Sequence, residues 1–203
     1  MKLSARDQQR IVNAIRAAEN KTSGEIFCVM ASASSNYRFL AIARAAIVAL
    51  LVPLPLYFFT TWWAEEIYLA QIATFIACAV LFSVTGLRHR FIASWIKRER
   101  ASHEAKRQFA AHGLHLTKAR TGVLIFVSVA ERYVEVVADE GINAKVQPEV
   151  WDRAVEALIA KIKADRAADG YVEAIRICGE VLAKHFPPKK GKKNELPDRL
   201  ILI

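Results

Sequence analysis

Two adjacent carboxylates, Asp139 and Glu140, stand before Gly141 just past a run of alternating apolar residues. A strand end can aim such a pair at a divalent cation, and through it at a phosphate-bearing substrate, so metal-assisted phosphomonoester hydrolysis is the chemistry to weigh. Two carboxylates fall short of a complete ligand set, and beside a glycine they also serve as turn and solvation residues. His103, His112 and His115 lie close in sequence, and His112-Gly113-Leu114-His115 has a spacing that metals accept. No matching carboxylate is obvious and Gly113 is placed to end a helix, so these read as solvated helix-end side chains. Ser128 closes a strand with no base beside it in sequence, and Arg120 and Arg132, at strand ends, suit an anion or ordinary surface pairing equally. The sequence contains no Gly-rich phosphate loop, nucleophile elbow or zinc-protease helix.

The elements that must position these residues are split by an apolar block. No charged residue occurs from Ala45 to Trp63 or from Ile67 to Leu87, and about 20 apolar residues suffice to cross roughly 30 Å of hydrocarbon. The pattern predicts two membrane spans, over 39–63 and 67–87. A chain of 203 residues could hardly bury two helices that are apolar on every side. Trp62, Trp63 and Tyr68 stand near the connection, where amphipathic rings favour headgroups, and Tyr37 and Trp95 flank the other ends. The connection carries Glu65 and Glu66, whereas Arg38, Arg44, Arg88, Arg90, Lys97, Arg98 and Arg100 lie on the far sides. That bias places the tip outside and both termini in the cytoplasm. Arg38, Arg44, Trp62, Trp63, Arg88 and Arg90 are the boundary residues, Arg44 snorkelling from the first turns of its span. Pro53 and Pro55 predict a kink. Gln71 is the one strongly polar side chain well inside the spans, which suits an anchor better than a channel.

The net charge of +9 gathers beside this block and at Lys189, Lys190, Lys192 and Lys193, pointing to anionic lipid headgroups rather than nucleic acid. Cys28, Cys78 and Cys178 are scattered and embedded in apolar sequence, the pattern of buried thiols in a reducing compartment. The first twenty residues hold no apolar run and do not read as a secretory signal.

Outside the block, Ser4 and Asp7 have capping-box spacing, and Ile11, Ala14, Ile15 and Ala18 recur at helical intervals, predicting a helix over 4–19. Glu25 to Ala31 reads as a buried strand, leaving at most about 25 Å of extended chain before the first span. A helix over 88–112 follows the block. Thr121 to Ser128 predicts a central strand covered on both faces, and a turn at 129–132 joins it to an antiparallel partner over 133–138. Pro148 opens a helix with Trp151, Ala154, Val155, Leu158, Ile159 and Ile162 on one stripe, and a last helix follows Asp169-Gly170. The result is an α/β sandwich with a mixed sheet whose first crossover contains the membrane hairpin. Residues 1–38 supply its first helix and strand, 88–186 the remainder, and 187–203 a basic linker with an apolar end. Leu200, Ile201, Leu202 and Ile203 suit an extra edge strand or a partner-binding peptide.

The strand Arg120-Thr121-Gly122-Val123-Leu124-Ile125-Phe126-Val127-Ser128, the following Glu131-Arg132-Tyr133-Val134-Glu135-Val136-Val137 and the turn Asp139-Glu140-Gly141-Ile142 resemble the TPM-domain family. Trp151, His185-Phe186-Pro187 and Asn194-Glu195-Leu196-Pro197-Asp198 are similar to a bacterial membrane-anchored branch of it. The resemblance implies a small α/β sandwich. It also implies assistance to membrane assemblies, with phosphatase activity and metal binding attributed to certain members. Asn143-Ala144-Lys145-Val146 departs from relatives that place another acidic residue after the turn. The expectation is a protein of the bacterial cytoplasmic membrane with a cytoplasmic TPM-like domain, acting without catalysis on an unidentified membrane-protein partner. The alternative is a metal-assisted phosphatase using Asp139, Glu140 and a divalent cation.

Overall fold

The computed structural model describes residues 3–35, 38–83, 92–188 and 194–203. The chain forms two units, one from Met1–Ser34 with Arg98–Ile203 and the other from Ser35–Lys97.

In the first unit, helix α1 (Ala5–Glu19) starts at Ser4, whose hydroxyl accepts from the Asp7 N–H while the Asp7 carboxylate accepts from the Ser4 N–H. Such a cap stabilises a helix by about 1 kcal/mol. Strands β1 (Glu25–Ala31) and β2 (Gly122–Ser128) are buried along their whole length and pair in parallel, from Glu25 opposite Gly122 to Ala31 opposite Ser128. Strand β3 (Tyr133–Ala138) runs antiparallel to β2, and β4 (Leu200–Leu202) lies parallel to Cys28–Met30 of β1. The sheet order is β3-β2-β1-β4. The last four residues therefore lie at the sheet edge.

Parallel neighbours require a crossover, and the one between β1 and β2 contains the apolar block followed by a helix (Ser94–Ala111). The second half of that helix covers one sheet face, where Ala105 and Leu114 join Phe27, Val29, Leu124 and Phe126. The other face presents Ile26, Cys28, Val123 and Ile125 to Ile11 and Ile15 of α1 and to the two helices Asp152–Lys163 and Ala167–His185. Burying each such aliphatic side chain contributes about 1.5–3 kcal/mol. Tyr171 crosses this face to donate its hydroxyl to the Val29 carbonyl at 2.9 Å. The Cys28 and Cys178 thiols are free and wholly buried, and burial pushes both upward, Cys178 to about 12. Neither is a nucleophile at neutral pH.

The first apolar stretch ends its helix at Phe59 rather than 63, the helix expected over 88–112 begins at Ser94, and two further boundaries differ from expectation. The last helix begins at Ala167, before Asp169-Gly170. Asp169 stands in its first turn, where a carboxylate meets the positive helix end, and is paired with Arg10 and Arg166. Gly170 is there because a Cβ would come within 2.8 Å of Leu158 Cδ1 on the neighbouring helix. The helix expected from Pro148 opens as a 3-10 turn over Pro148–Trp151.

The second unit holds α2 (Arg38–Leu51), α3 (Pro53–Phe59) and α4 (Ala64–Ser83). The break falls at Val52: Pro53 and Pro55 have no N–H to donate into the helix, and Val52 N–H turns to the Ala49 carbonyl at 3.3 Å. Ala41, Ala45 and Ala49 form the buried face of α2, where it packs on α4. Phe39, Ile47, Leu50, Phe58, Phe59, Leu69, Ile76 and Val80 are exposed. Residues Ala41–Phe59 and Ala64–Ser83 are long and apolar enough to cross a membrane, and only 11% and 0% of them is buried within the chain. The end expected for the second span, 84–87, lies outside the described residues.

We number the remaining helices α5 (Ser94–Ala111), α6 (Glu140–Asn143), α7 (Asp152–Lys163) and α8 (Ala167–His185). Near the end of α5, the His112 ring stacks at 4.7 Å on Phe27. Burial, with Arg199 nearby, holds the imidazole below its ordinary 6.5. The fold favours the neutral ring, so its contribution is fully present above about pH 6.5 and is lost as pH falls below that. Thermal unfolding of the detergent-solubilised chain should therefore lose stability between about pH 7 and 5, and His112→Gln should flatten part of that loss. Equal acid sensitivity in both proteins would contradict this.

Candidate functional site

The carboxylate pair picked out by sequence lies where β3 ends. Asp139 N–H continues the hairpin ladder to the Gly122 carbonyl at 3.0 Å. Its Oδ1 accepts from Glu140 N–H at 2.7 Å, capping α6. Asp139 is 4% exposed and Glu140 85%. Arg120 Nη2 stands 3.1 Å from Asp139 Oδ1 and 3.4 Å from Glu140 Oε2, while its Nη1 donates to the His115 carbonyl at 3.0 Å. Arg120 adopts a left-handed conformation (φ 53°), which brings its backbone against the turn. Gly141 allows that approach, since a Cβ there would lie 2.6 Å from the Ala119 carbonyl oxygen.

This geometry neutralises a buried charge. Asp139 Oδ2 is buried without a hydrogen-bond partner among the described residues. The Arg120 cation already sits between the two carboxylates, and no group of three or more metal-ligating side chains occurs among the described residues. Asp139 and Glu140 alone do not fit a divalent cation. His115 is near this turn through its carbonyl, its Nδ1 buried and unpartnered among the described residues. His112 packs on the sheet instead and His103 is exposed on α5, so the three histidines do not converge.

A second cluster, at the other end of β2, escaped sequence reading. Ser128 Oγ donates to the Glu131 carboxylate and accepts from Ser34 Oγ at 2.7 Å, and Ser34 N–H donates to the same carboxylate at 3.1 Å. Ser128 and Glu131 are 0% and 8% exposed. The spacing Ser-x-x-Glu across a turn was the available signal. Because the hydroxyl is fully enclosed, this is a clamp and not a nucleophile. One step earlier, Ser32 N–H donates to the Ile203 carbonyl at 2.6 Å and Ser32 C=O accepts from Ala130 N–H at 3.1 Å. The chain leaving β1 is thus held from both sides.

Among the boundary residues, Trp62 and Trp63 are exposed at the tip of the second unit. Arg44 lies within α2, Arg38 begins it, and Arg88 and Arg90 lie outside the described residues.

The mixed sheet, the hairpin and the turn at Asp139 can now be set beside known proteins. Residues 92–181 match the family model of the TPM domain. The match runs from before α5 into α8, while α1, β1 and β4, which complete the TPM-like unit, lie outside it. No curated protein sequence matches the chain. The fold is similar to the NMR structure of BA42 protein from the psychrophilic bacterium Bizionia argentinensis, at 24% identity and a TM-score of 0.64, covering 100% of this chain and 97% of that one.

Removing the clamp carboxylate by Glu131→Ala leaves the Ser128 hydroxyl and the Ser34 N–H without their acceptor, a cost of about 1–3 kcal/mol for each buried group. Denaturant unfolding should show a loss of this size, and hydrogen exchange should quicken at Ser34 before it does in β2. Unchanged protection at Ser34 would show that the clamp does not hold it. Independently, Gly141→Ala should lower the unfolding temperature, because a carbonyl at 2.6 Å must move.

Proposed function

We propose that the chain is a two-span protein of the bacterial cytoplasmic membrane, whose TPM-like unit faces the cytoplasm and acts as a non-catalytic interaction module for another membrane protein. The observation that carries this reading is the apolar hairpin itself, inserted in the crossover between the two central strands with its large side chains exposed. In water those side chains would drive aggregation, whereas in hydrocarbon they need no cover. The acidic first turn of α4, with Glu65 and Glu66, and the Arg38, Arg44, Arg98 and Arg100 flanks support an outside tip.

Attachment on both sides of the hairpin supports an interaction role at the surface. Ser34 is clamped to the sheet and Arg38 begins α2 four residues later, so at most about 14 Å of extended chain joins the two. The pairing of Asp139 with Arg120 and the enclosure of Ser128 favour a non-catalytic module over a phosphatase.

Four measurements test this. The chain should stay in the membrane pellet after carbonate extraction. In a Cys78→Ala background, Glu65→Cys should be labelled by an impermeant thiol reagent from outside intact cells; protection there, with labelling at the C-terminal end, would reverse the orientation. Crosslinking of the full chain in native membranes should yield a discrete adduct with another membrane protein. Phosphomonoester hydrolysis by the purified chain, abolished by Asp139→Asn, would replace this reading with an enzymatic one.

A further inference from the structure

The clamp end of the sheet also carries a cleft that none of the roles above uses. It measures about 450 Å³ and is walled by Val127, Val129 and Val134 of the hairpin and by Ile159 and Ile162 of α7. Arg132 and Lys163 stand at its lining with Asp165. Neither cation makes an ion pair with any described residue, so an apolar cavity is bordered by two unneutralised positive charges and one negative charge. We propose that this cleft binds an anionic phospholipid, its phosphate held by Arg132 and Lys163 and the start of an acyl chain lying against the valine and isoleucine wall. The inference rests on the membrane-anchored reading and assigns the lipid contact to particular residues.

The backbone fixes where two of the lining residues stand. Arg120, Arg132 and Asp165 are the non-glycine residues at positive φ among those described, and two of them, Arg132 (φ 51°) and Asp165 (φ 56°), line this cleft. Asp165 closes the C-terminus of α7 in the usual way, with Arg166 N–H bonded to the Lys161 carbonyl and Asp165 N–H to the Ile162 carbonyl, so the conformation fixes where the lining residues stand and is not itself a mark of a ligand. At Arg120 the arginine has a visible task, the ion pair with Asp139. At Arg132 the conformation closes the β2–β3 turn, its N–H bonded to the Val129 carbonyl at 3.2 Å, while the side chain makes no ion pair among the described residues. Lys163 alone could be read as a cation offsetting the carbonyl end of α7, but that does not account for Arg132.

Two features decide among anionic ligands. The wall is apolar, so inorganic phosphate would leave most of the cavity unfilled, whereas an acyl chain buries it. The cleft also opens at the end of β2 whose last residue pairs with the last residue of β1. A zwitterionic choline headgroup would bring its own cation to the Arg132 and Lys163 pair, so anionic lipid is preferred.

The test uses the full chain in a nonionic detergent with dioctanoyl phosphatidylglycerol as probe, and dioctanoyl phosphatidylcholine and inorganic phosphate as comparisons. Binding is read by native mass spectrometry and by the rise in unfolding temperature. Phosphatidylglycerol should bind at one site and raise the transition. Arg132→Gly is the informative variant because glycine fits φ 51°, so the protein should fold at least as well. It should nevertheless weaken phosphatidylglycerol binding about tenfold, as should Lys163→Gln, while Arg153→Gln on the exposed side of α7 should leave it unchanged. Equal binding of phosphatidylcholine, equal binding of phosphate, or full affinity in a folded Arg132→Gly protein would each overturn the proposal. Release of the chain by carbonate would instead overturn the membrane reading, so the two failures are distinguishable.

Discussion

Parallel pairing of β1 with β2 is the constraint on which the rest of the molecule depends. Both strands are buried on both faces and paired over their full length, so neither can shift without exposing the centre of the core. Parallel neighbours cannot be joined by a tight turn, and the obligatory crossover is where the apolar helices are found. The two bonds at Ser32 with the Ser34, Ser128 and Glu131 cluster hold the chain to the sheet past the end of β1.

Much of this was legible because each element carried a pattern tied to its environment. The unbroken apolar runs of β1 and β2 announce strands covered on both faces, and the stripe from Trp151 to Ile162 announces a helix with one buried side. Where reading by pattern failed, the deciding interaction was tertiary. The glycine at 170 looked like a break, yet it sits inside α8 because Leu158 occupies the space beside it. Glu131 looked like one more polar turn residue, and only the approach of Ser34 from a distant part of the sequence reveals its task. The edge strand, three residues long, was legible from the apolar run at Leu200–Ile203 rather than from any period. Asp139 and Glu140 were visible as carboxylates, but the Arg120 cation between them follows from its backbone conformation, which residue type does not encode.

Strand β2 therefore joins two ends of different character, each marked by an arginine in the left-handed region. Before it, Arg120 turns back on Asp139 and Glu140, so one buried charge is compensated locally and the turn is closed by Gly141. After it, Arg132 points its charge at a cleft with no counter-ion among the described residues beyond the rim carboxylate of Asp165. Both conformations belong to turns, and what differs is where the side chain goes. At the first end the contribution is internal. At the second it is directed outward, on the same edge of the sheet where the clamp at Ser34 hands the chain to its apolar helices. A sheet polarised in this way separates structural charge from available charge. The available charge lies at the end of β2 whose last residue pairs with the last residue of β1.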